Sequence, residues 1–290
     1  MTFDPVAQAA QLIASSDALL ITAGAGMGVD SGLPDFRGKE GFWKAYPALA
    51  NACIDFKSIA NSFAFHESPR LAWGFYGHRL ALYRKTEPHI GFSLLRRMGE
   101  AAVHGAFVVT SNVDGQFQKA SFPEARVLEI HGSIHYLQCC TPCRDTVWSA
   151  QYIEPETDDA RCDWIGSQLP SCQRCGQLAR PNILMFDDWV WLSSRIDAQH
   201  DRFNAWLGQT SAPVVLELGA GIDLPSIRRI SESRGYPLIR INPHHPAIPE
   251  GLGVSLQMGA RQGLSLIIQA LEEIGWLEPY DKTVSESPPK

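Results

Sequence analysis

The stretch ITAGAGMGVDSGLPDFRG, residues 21–38, largely determines which fold the chain can adopt. It continues a short apolar run, DALLITA at 17–23, that is typical of a buried strand. Gly24, Gly26 and Gly28 then predict a tight turn whose backbone N–H groups can approach a pyrophosphate at the start of a helix. A strand that ends in such a turn is typical of dinucleotide-binding α/β folds.

The same stretch argues against a hydride-transferring dehydrogenase. The fingerprint of those enzymes requires a third glycine where Val29 stands, and an acidic residue at the end of a second strand. Residues 40–50, EGFWKAYPALA, do not have the pattern of that strand. Taken alone, the glycines fit a structural turn as well as a cofactor loop.

The second half of the stretch adds three functional side chains. The segment SGLP at 31–34 cannot continue a long helix, and it returns Asp35, Phe36 and Arg37 toward the glycines. A carboxylate, an aromatic face and a guanidinium would then lie near the phosphates, which suits a cofactor that must be gripped. In isolation, Asp-Phe-Arg would be an exposed turn with a surface ion pair.

The composition predicts a soluble intracellular protein. Of the 290 residues 45% are hydrophobic, and the net charge of −6 comes without a run of lysines and arginines, which argues against nucleic-acid binding. The N-terminus lacks the basic and apolar regions of a signal peptide, and no apolar run approaches the roughly 20 residues of a membrane-spanning helix. We therefore expect a cytoplasmic location, with no membrane and no direct nucleic-acid partner.

Short β-rich runs alternate with helical patterns along the chain. This order predicts an α/β fold, a Rossmann-like parallel sheet with helices on both faces. The predicted strands are 17–23, 105–111, 125–130, 182–186, 213–218 and 236–242, and the predicted helices are 5–15, 68–84, 90–103, 225–233 and 261–275.

Two stretches interrupt this alternation and predict a smaller second domain. Residues 39–87 are expected to form a helical insertion, and residues 138–179 a cysteine-bearing one. The Rossmann-like domain then comprises 1–38, 88–137 and 180–278, and the polar tail 279–290 is expected to be disordered.

The cysteines predict a structural zinc site. Cys172 and Cys175 have the spacing of a zinc knuckle, and Cys143 belongs to the first pair. Either Cys139 or Cys140 can complete that pair. Four thiolates, with no histidine or carboxylate at ligand spacing, favour a closed structural site over a catalytic one. Reduced, unliganded cysteines are the alternative.

The chain resembles the sirtuins, the NAD-dependent protein-lysine deacylases, over most of its length. The resemblance implies a Rossmann-like domain and a zinc-bearing small domain, with NAD bound between them as a donor of ADP-ribose. It is carried by the cofactor loop AGAGMGVDSGLPDFRG, by TSNVDG at 110–115 for their TQN-(I/V)-D-G, by EIHGS at 129–133, by the cysteine-rich stretch 139–175, by RPNILMF at 180–186, by LGAGIDLP at 218–225 and by RIN at 240–242.

The resemblance also implies the site residues. In this family the acyl-lysine carbonyl oxygen attacks C1′ of the ribose, and His131 would then act as general base on a ribose hydroxyl. Asn112 would position ribose or water, and Asp114 would hydrogen-bond the nicotinamide amide. The implied cofactor contacts are Gly24, Ala25, Gly26, Asp30, Pro34, Asp35, Phe36, Arg37, Ser111, Asn112, Asp114, His131, Gly219, Ala220, Gly221 and Asn242, and the implied zinc ligands are Cys139, Cys143, Cys172 and Cys175.

The residue pattern fits these roles without requiring them. Asn112 and Asp114 flank Val113 after a predicted strand, so both would face the same way at a carboxyl edge, where ligands bind. An imidazole such as that of His131 titrates near working pH and suits a general base. Taken singly, Asn-Val-Asp is equally an Asx turn that closes a strand, and a histidine at a strand end is more often structural.

Three departures from the family pattern leave the activity open. Ser111 replaces a glutamine, Asp187 and Asp188 stand where Gly-Glu is expected, and the pair 220–221 replaces Thr-Ser. The first hypothesis is an NAD-dependent protein-lysine deacylase that transfers the acyl group to ADP-ribose and releases nicotinamide. The second is an ADP-ribosyltransferase or NAD glycohydrolase, and the third is a non-catalytic NAD-binding scaffold.

Overall fold

The computed structural model describes residues 4–34 and 38–279. Its strands, in chain order, are β1 (Ala18–Ala23), β2 (Ala106–Thr110), β3 (Val127–Glu129), β4 (Gly132–Cys139), β5 (Trp148–Ser149), β6 (Thr157–Asp158), β7 (Asp163–Trp164), β8 (Ala179–Ile183), β9 (Pro213–Leu218), β10 (Leu238–Ile241) and β11 (Gly253–Leu256). Its α-helices are α1 (Pro5–Ala14), α2 (Gly38–Ala45), α3 (Pro47–Asn51), α4 (Phe56–Ile59), α5 (Ala64–Glu67), α6 (Pro69–Lys85), α7 (Ile90–Ala101), α8 (Gln116–Lys119), α9 (Ser194–Leu207), α10 (Ser226–Glu232) and α11 (Ala260–Glu273).

A six-stranded parallel sheet forms the centre of the fold. Its strands lie in the order β11-β10-β9-β1-β2-β3, and every pairing in it is parallel. From the central β1 the chain moves outward through β2 and β3, and it later returns to the other side of β1 for β9, β10 and β11. The strand order therefore reverses between β1 and β9, which is where ligands bind in folds of this kind.

Helices cover both faces of this sheet, as the sequence predicts. Along β1 the side chains alternate: Leu19 and Ile21 pack into a core with residues of α1, α7 and α11, whereas Leu20 packs into a second core on the opposite face. That second core includes Phe203 and Trp206 of α9. Because strand residues point alternately to the two faces, the uninterrupted apolar run of β1 is what a sheet buried on both sides requires.

The structure differs from the prediction at three elements. The run 182–186 is not a strand of the parallel sheet, because β8 (Ala179–Ile183) pairs antiparallel with β4 in a separate sheet of order β5-β4-β8. A short run of buried residues has the same pattern in either setting. The sixth parallel strand is β11, which is absent from the predicted strands. The polar helix α9 is also absent from the predicted helices; its buried Ile196, Phe203 and Trp206 lie on one face.

A third core joins the helical insertion to the cysteine-bearing segment. It contains Trp73 and Phe75 of α6, Trp164 of β7 and Ile134 of β4. The Trp73 indole N–H also donates to the Ala179 carbonyl oxygen at 2.9 Å, which ties α6 to β8. The two insertions therefore share one set of packed side chains.

Among the residues that the structure describes, no helix has both the length and the apolar character needed to span a bilayer.

Candidate active site

The implied site residues follow the carboxyl ends of neighbouring parallel strands. Gly24 follows β1, Asn112 follows β2, Gly219 follows β9 and Asn242 follows β10, while His131 lies in the turn between β3 and β4. The sheet thus gathers residues that are up to 218 positions apart in sequence at one edge, which includes the point where the strand order reverses.

The glycines after β1 pack directly against the loop after β9. A Cβ atom on Gly26 would lie 2.7 Å from the Gly219 Cα, and one on Gly24 would lie 2.9 Å from the Ala220 Cα. Gly219 itself has a φ of 60°, and the Gly26 N–H donates to its carbonyl oxygen at 3.0 Å. The glycine pattern therefore has a structural cause as well, because only glycine allows these two loops to approach so closely.

The loop after β2 is tied to the loop after β1. The Asn112 side-chain amide donates to the Gly24 carbonyl oxygen at 3.0 Å, and its backbone N–H donates to the Thr110 hydroxyl at the same distance. The Ser111 N–H donates to the Ala23 carbonyl oxygen at 3.1 Å. Asn112 is half-buried, and the hydrogen bond of its side chain joins the two loops at the carboxyl edge of the sheet.

Asp114 is a buried carboxyl group with a raised pKa. Its residue is 8% exposed, and burial raises its pKa from 3.8 to about 6; nearby Glu129 acts in the same direction. One carboxylate oxygen accepts the Gln116 N–H at 2.9 Å, which partly opposes the shift. A carboxyl group near its pKa at neutral pH, on the loop that also carries Asn112, is typical of a functional site.

His131 lies beside two site segments. Its carbonyl oxygen accepts the Leu184 N–H at 2.9 Å, which places the segment after β8 next to it. Burial lowers the pKa of its imidazole below 6.5, and a hydrogen bond with the Ser111 backbone partly opposes that shift. The imidazole is therefore neutral at pH 7, the state in which it can accept a proton.

The residues after β9 and β10 form a second linked pair of loops. Asn242 is fully buried; its side-chain amide donates to the Ala220 carbonyl oxygen at 2.9 Å, and its side-chain oxygen accepts the His244 and His245 N–H groups. Ala220 is buried, whereas Gly221 is exposed, with open space where a Cβ would lie. Asn242 thus fixes the loop that presents Gly221.

The remaining implied contacts are placed differently. Asp30 is exposed, and its carboxylate accepts the Arg261 N–H at 2.8 Å, at the first turn of α11. Ala25 is exposed and Pro34 is half-buried in the same loop. Asp35, Phe36 and Arg37 lie outside the described residues. The Asp30 carboxylate therefore caps the start of α11, a contact that the sequence does not predict.

The structure gathers four cysteines into one cluster. The Sγ atoms of Cys139, Cys143, Cys172 and Cys175 all lie within 4.8 Å of one another, with the pairs 139–175 and 143–172 at 3.7 and 3.8 Å. A zinc ion with bonds of about 2.3 Å to four thiolates needs sulfur atoms spaced like these. Cys140 instead packs into the third core, so the geometry fits the set that includes Cys139.

The substituted pair after β8 has two different environments. Asp188 forms a fully buried ion pair with Arg180, with 2.8 Å between the guanidinium Nη2 and the carboxylate oxygen. Asp187 is exposed and has a φ of 52°, in the left-handed region that favours glycine. Asp187 therefore keeps a glycine-like backbone, and the Asp188 charge is balanced inside the protein. A carboxylate eight residues after an arginine gives no sequence signal of this pairing.

Comparison with known proteins gives one consistent family. The Sir2 family model matches residues 24–205. An NAD-dependent protein deacylase of Pyrococcus furiosus is 29% identical over 274 residues, covering 92% of this chain and 98% of that protein. An NAD-dependent protein deacetylase of Saccharolobus solfataricus is 33% identical over 196 residues, covering 66% of this chain and 67% of that protein.

Solved structures agree at the level of the fold. A Sir2 homologue in complex with NAD superposes with a TM-score of 0.68 at 24% identity, covering 92% of this chain and 94% of that one. A mutant Sir2 homologue in complex with 2'-O-acetyl ADP ribose gives a TM-score of 0.70 at 24% identity, covering 93% and 98%.

Proposed function

Since the chain belongs to the Sir2 family, we propose that it is an NAD-dependent protein-lysine deacylase, which transfers an acyl group to ADP-ribose and releases nicotinamide. The observation that carries the proposal is the position of His131. A half-buried, neutral imidazole lies at the carboxyl edge of the sheet, and the segment after β8 is hydrogen-bonded to its backbone. A base and a neighbouring strand-like segment are what a reaction on a bound peptide requires.

The charges of Asp187 and Asp188 disfavour peptide binding less than the sequence alone indicates. Asp188 is fully buried against Arg180, so only the Asp187 carboxylate adds charge to the surface of this segment. The left-handed backbone of Asp187 also preserves the chain direction that a glycine would give. Both features support a peptide-binding role for residues 183–188.

Each residue then has a defined task. Bound NAD supplies the nicotinamide–ribose bond that is broken. The neutral His131 imidazole accepts the proton of a ribose hydroxyl, and Asn112 and Asp114 orient the ribose and the nicotinamide amide from the loop after β2. Of the other implied cofactor contacts, the described ones lie in the loops after β1, β2, β9 and β10, and the four clustered cysteines would hold a structural zinc ion.

The proposal includes the domain boundaries and surroundings that the sequence predicts. The division into a Rossmann-like part and two insertions is supported by the separate third core. A cytoplasmic location is supported by clustered cysteines that suit a metal in a reducing compartment. The absence of a nucleic-acid partner is supported by the net charge of −6.

Release of nicotinamide from NAD, followed with and without a panel of acyl-lysine peptides, tests this function. We expect release that depends on peptide. Over many turnovers it should fall at least about a hundredfold in His131→Ala, the usual contribution of a general base, because the step that needs the base must finish before the next NAD is cleaved. His200→Ala, a change of an exposed histidine on α9, is the matched control. Release without peptide would instead indicate an NAD glycohydrolase or ADP-ribosyltransferase, and no release would indicate a scaffold.

A further inference from the structure

His135 contacts the backbone of the loop that carries Asn112 and Asp114. Its imidazole Nε2 lies 2.9 Å from the Asp114 carbonyl oxygen. A carbonyl oxygen can only accept a hydrogen bond, so the Nε2 atom must carry the proton and donate it. His135 belongs to β4, whereas Asp114 lies in the loop after β2. The His135 side chain therefore ties this loop to a different strand.

The imidazole also rests on the residue after Asp114. A Cβ atom on Gly115 would lie 2.6 Å from the His135 Cδ2 and 2.7 Å from its Nε2. Gly115 has a φ of 71°, the left-handed conformation from which the chain turns directly into α8. The glycine is required here both by its backbone conformation and by the ring that covers it.

Ile134, the residue before His135 in β4, binds the carbonyl group of Val113, the residue before Asp114. The Ile134 N–H donates to the Val113 carbonyl oxygen at 3.0 Å. Two consecutive residues of β4 therefore fix two consecutive carbonyl groups of the loop, one through the main chain and one through a side chain. From the other side, the side-chain amide of Gln116 donates to the Tyr83 carbonyl oxygen at 3.2 Å.

From this geometry we infer that His135 is a positioning residue for the proposed reaction. Its imidazole fixes the backbone of Asp114 and Gly115, and thereby sets the direction in which the Asp114 carboxyl meets bound NAD. The inference rests on the proposed function for what Asp114 contacts. It does not assign His135 any contact with substrate, because the ring acts through the loop.

Three variants test the inference. His135→Phe keeps a ring but cannot donate a hydrogen bond, whereas His135→Gln has an amide N–H that can replace the Nε2 donor. The matched control is His104→Phe, whose ring lies 3.9 Å from the Asp17 carboxylate at the amino end of β2. His104 precedes β2, so it lies at the amino end of that strand, opposite the candidate site.

Two measurements are made on each variant. The first is the Kd for NAD by calorimetry, together with the KM for NAD and for an acetyl-lysine peptide. The second is the hydrogen-exchange rate of the Gln116 and Ile134 amides, which reports on the loop without any ligand. A variant that is only destabilised has less active protein but unchanged KM values. The KM values therefore distinguish general destabilisation from a loss of loop positioning.

We expect His135→Phe to raise the Kd and KM for NAD about fivefold, the usual worth of one hydrogen bond, and to leave the peptide KM unchanged. Exchange at both amides should accelerate, and His135→Gln should restore most of each value. Unchanged NAD affinity and exchange in His135→Phe, failure of the Gln variant to restore them, or equal effects in His104→Phe would each overturn the inference. If wild-type protein neither binds NAD nor releases nicotinamide, the proposed function fails, and the exchange rates still decide whether His135 holds the loop.

Discussion

The Asp114 carboxyl is buried beside Glu129, and its pKa in the folded protein is about 6 against 3.8 for an ordinary aspartate. Folding therefore favours the protonated form. The sign follows from that difference: stability is lost as the pH rises from about 4 to about 6, and it stays lost above that range. At 1.36 kcal/mol per pKa unit, the loss amounts to about 3 kcal/mol at most.

Asp114→Asn should therefore stabilise the protein at neutral pH while it impairs the reaction. Asparagine keeps the oxygen that accepts the Gln116 N–H but cannot ionise. We expect a melting temperature several degrees above that of the wild type at pH 7.5 and no difference near pH 4, measured by calorimetry. A lower melting temperature at pH 7.5 would show that the buried carboxylate is stabilising after all.

Asp187 occupies a left-handed backbone position at the surface. At an ordinary exposed site alanine is at least as stable as glycine, but at a positive φ the Cβ atom costs roughly 1 kcal/mol. Asp187→Gly should thus be more stable than Asp187→Ala by about 1 kcal/mol in urea unfolding. Both variants remove the same carboxylate, so the comparison isolates the backbone. Equal stability would mean that this φ is not enforced.

The segment after β8 is anchored by the Arg180–Asp188 pair, at 1% and 0% side-chain exposure. Removing one partner leaves the other charge buried without compensation, so Asp188→Asn should lower the free energy of unfolding by about 3 kcal/mol or more. The surface pair Arg161–Asp158, at 2.7 Å, is the control. Asp158→Asn should change the free energy of unfolding by less than about 1 kcal/mol. Denaturant melts of both variants check this, and similar losses would contradict it.

Elements that depend on local pattern could be predicted from the sequence, and contacts between distant segments could not. The strands β1, β2 and β9 and the helices α1, α6, α7 and α11 follow from runs of apolar residues at the right spacing. The antiparallel setting of β8 depends on its pairing with β4, whose residues lie 40 to 51 positions earlier in the sequence than their partners, and an isolated run does not encode its partner.

The candidate site shows the same division at single residues. The spacing of Cys143, Cys172 and Cys175 sufficed to predict a metal cluster, because ligand spacing is itself a local pattern. The capping role of Asp30 depends on Arg261, which is 231 residues away. His135 carried no motif, and only the fold shows that its ring meets Asp114.

At the scale of the whole molecule, one strand joins the cysteine cluster to the turn that carries His131. β4 begins at Gly132, next to His131, and ends at Cys139. Loss of a structural metal removes the free energy that holds its loops together, and here that loss reaches the residues that fix Asp114. The zinc site is therefore expected to support activity without touching substrate.

Replacing single cysteines checks this coupling. Cys139→Ala should abolish zinc binding, measured as metal content per chain, and should lower both activity and melting temperature. Cys140→Ala removes the adjacent buried thiol and should keep one zinc ion, with only a packing loss of about 1 kcal/mol. Zinc retained in Cys139→Ala and lost in Cys140→Ala would reverse the ligand assignment.

The ladder between β4 and β8 also limits how this protein can be recombined with its relatives. The ladder runs from Gly132↔Ile183 to Cys139↔Ala179. The predicted domain boundaries therefore fall inside strands: a cut at 137/138 divides β4, and a cut at 179/180 divides β8. A chimera joined there would mix two parental registers in one sheet, and a shift of one residue would turn side chains to the wrong face. Exchange of the metal-bearing segment is expected to succeed only when both strands come from the same parent.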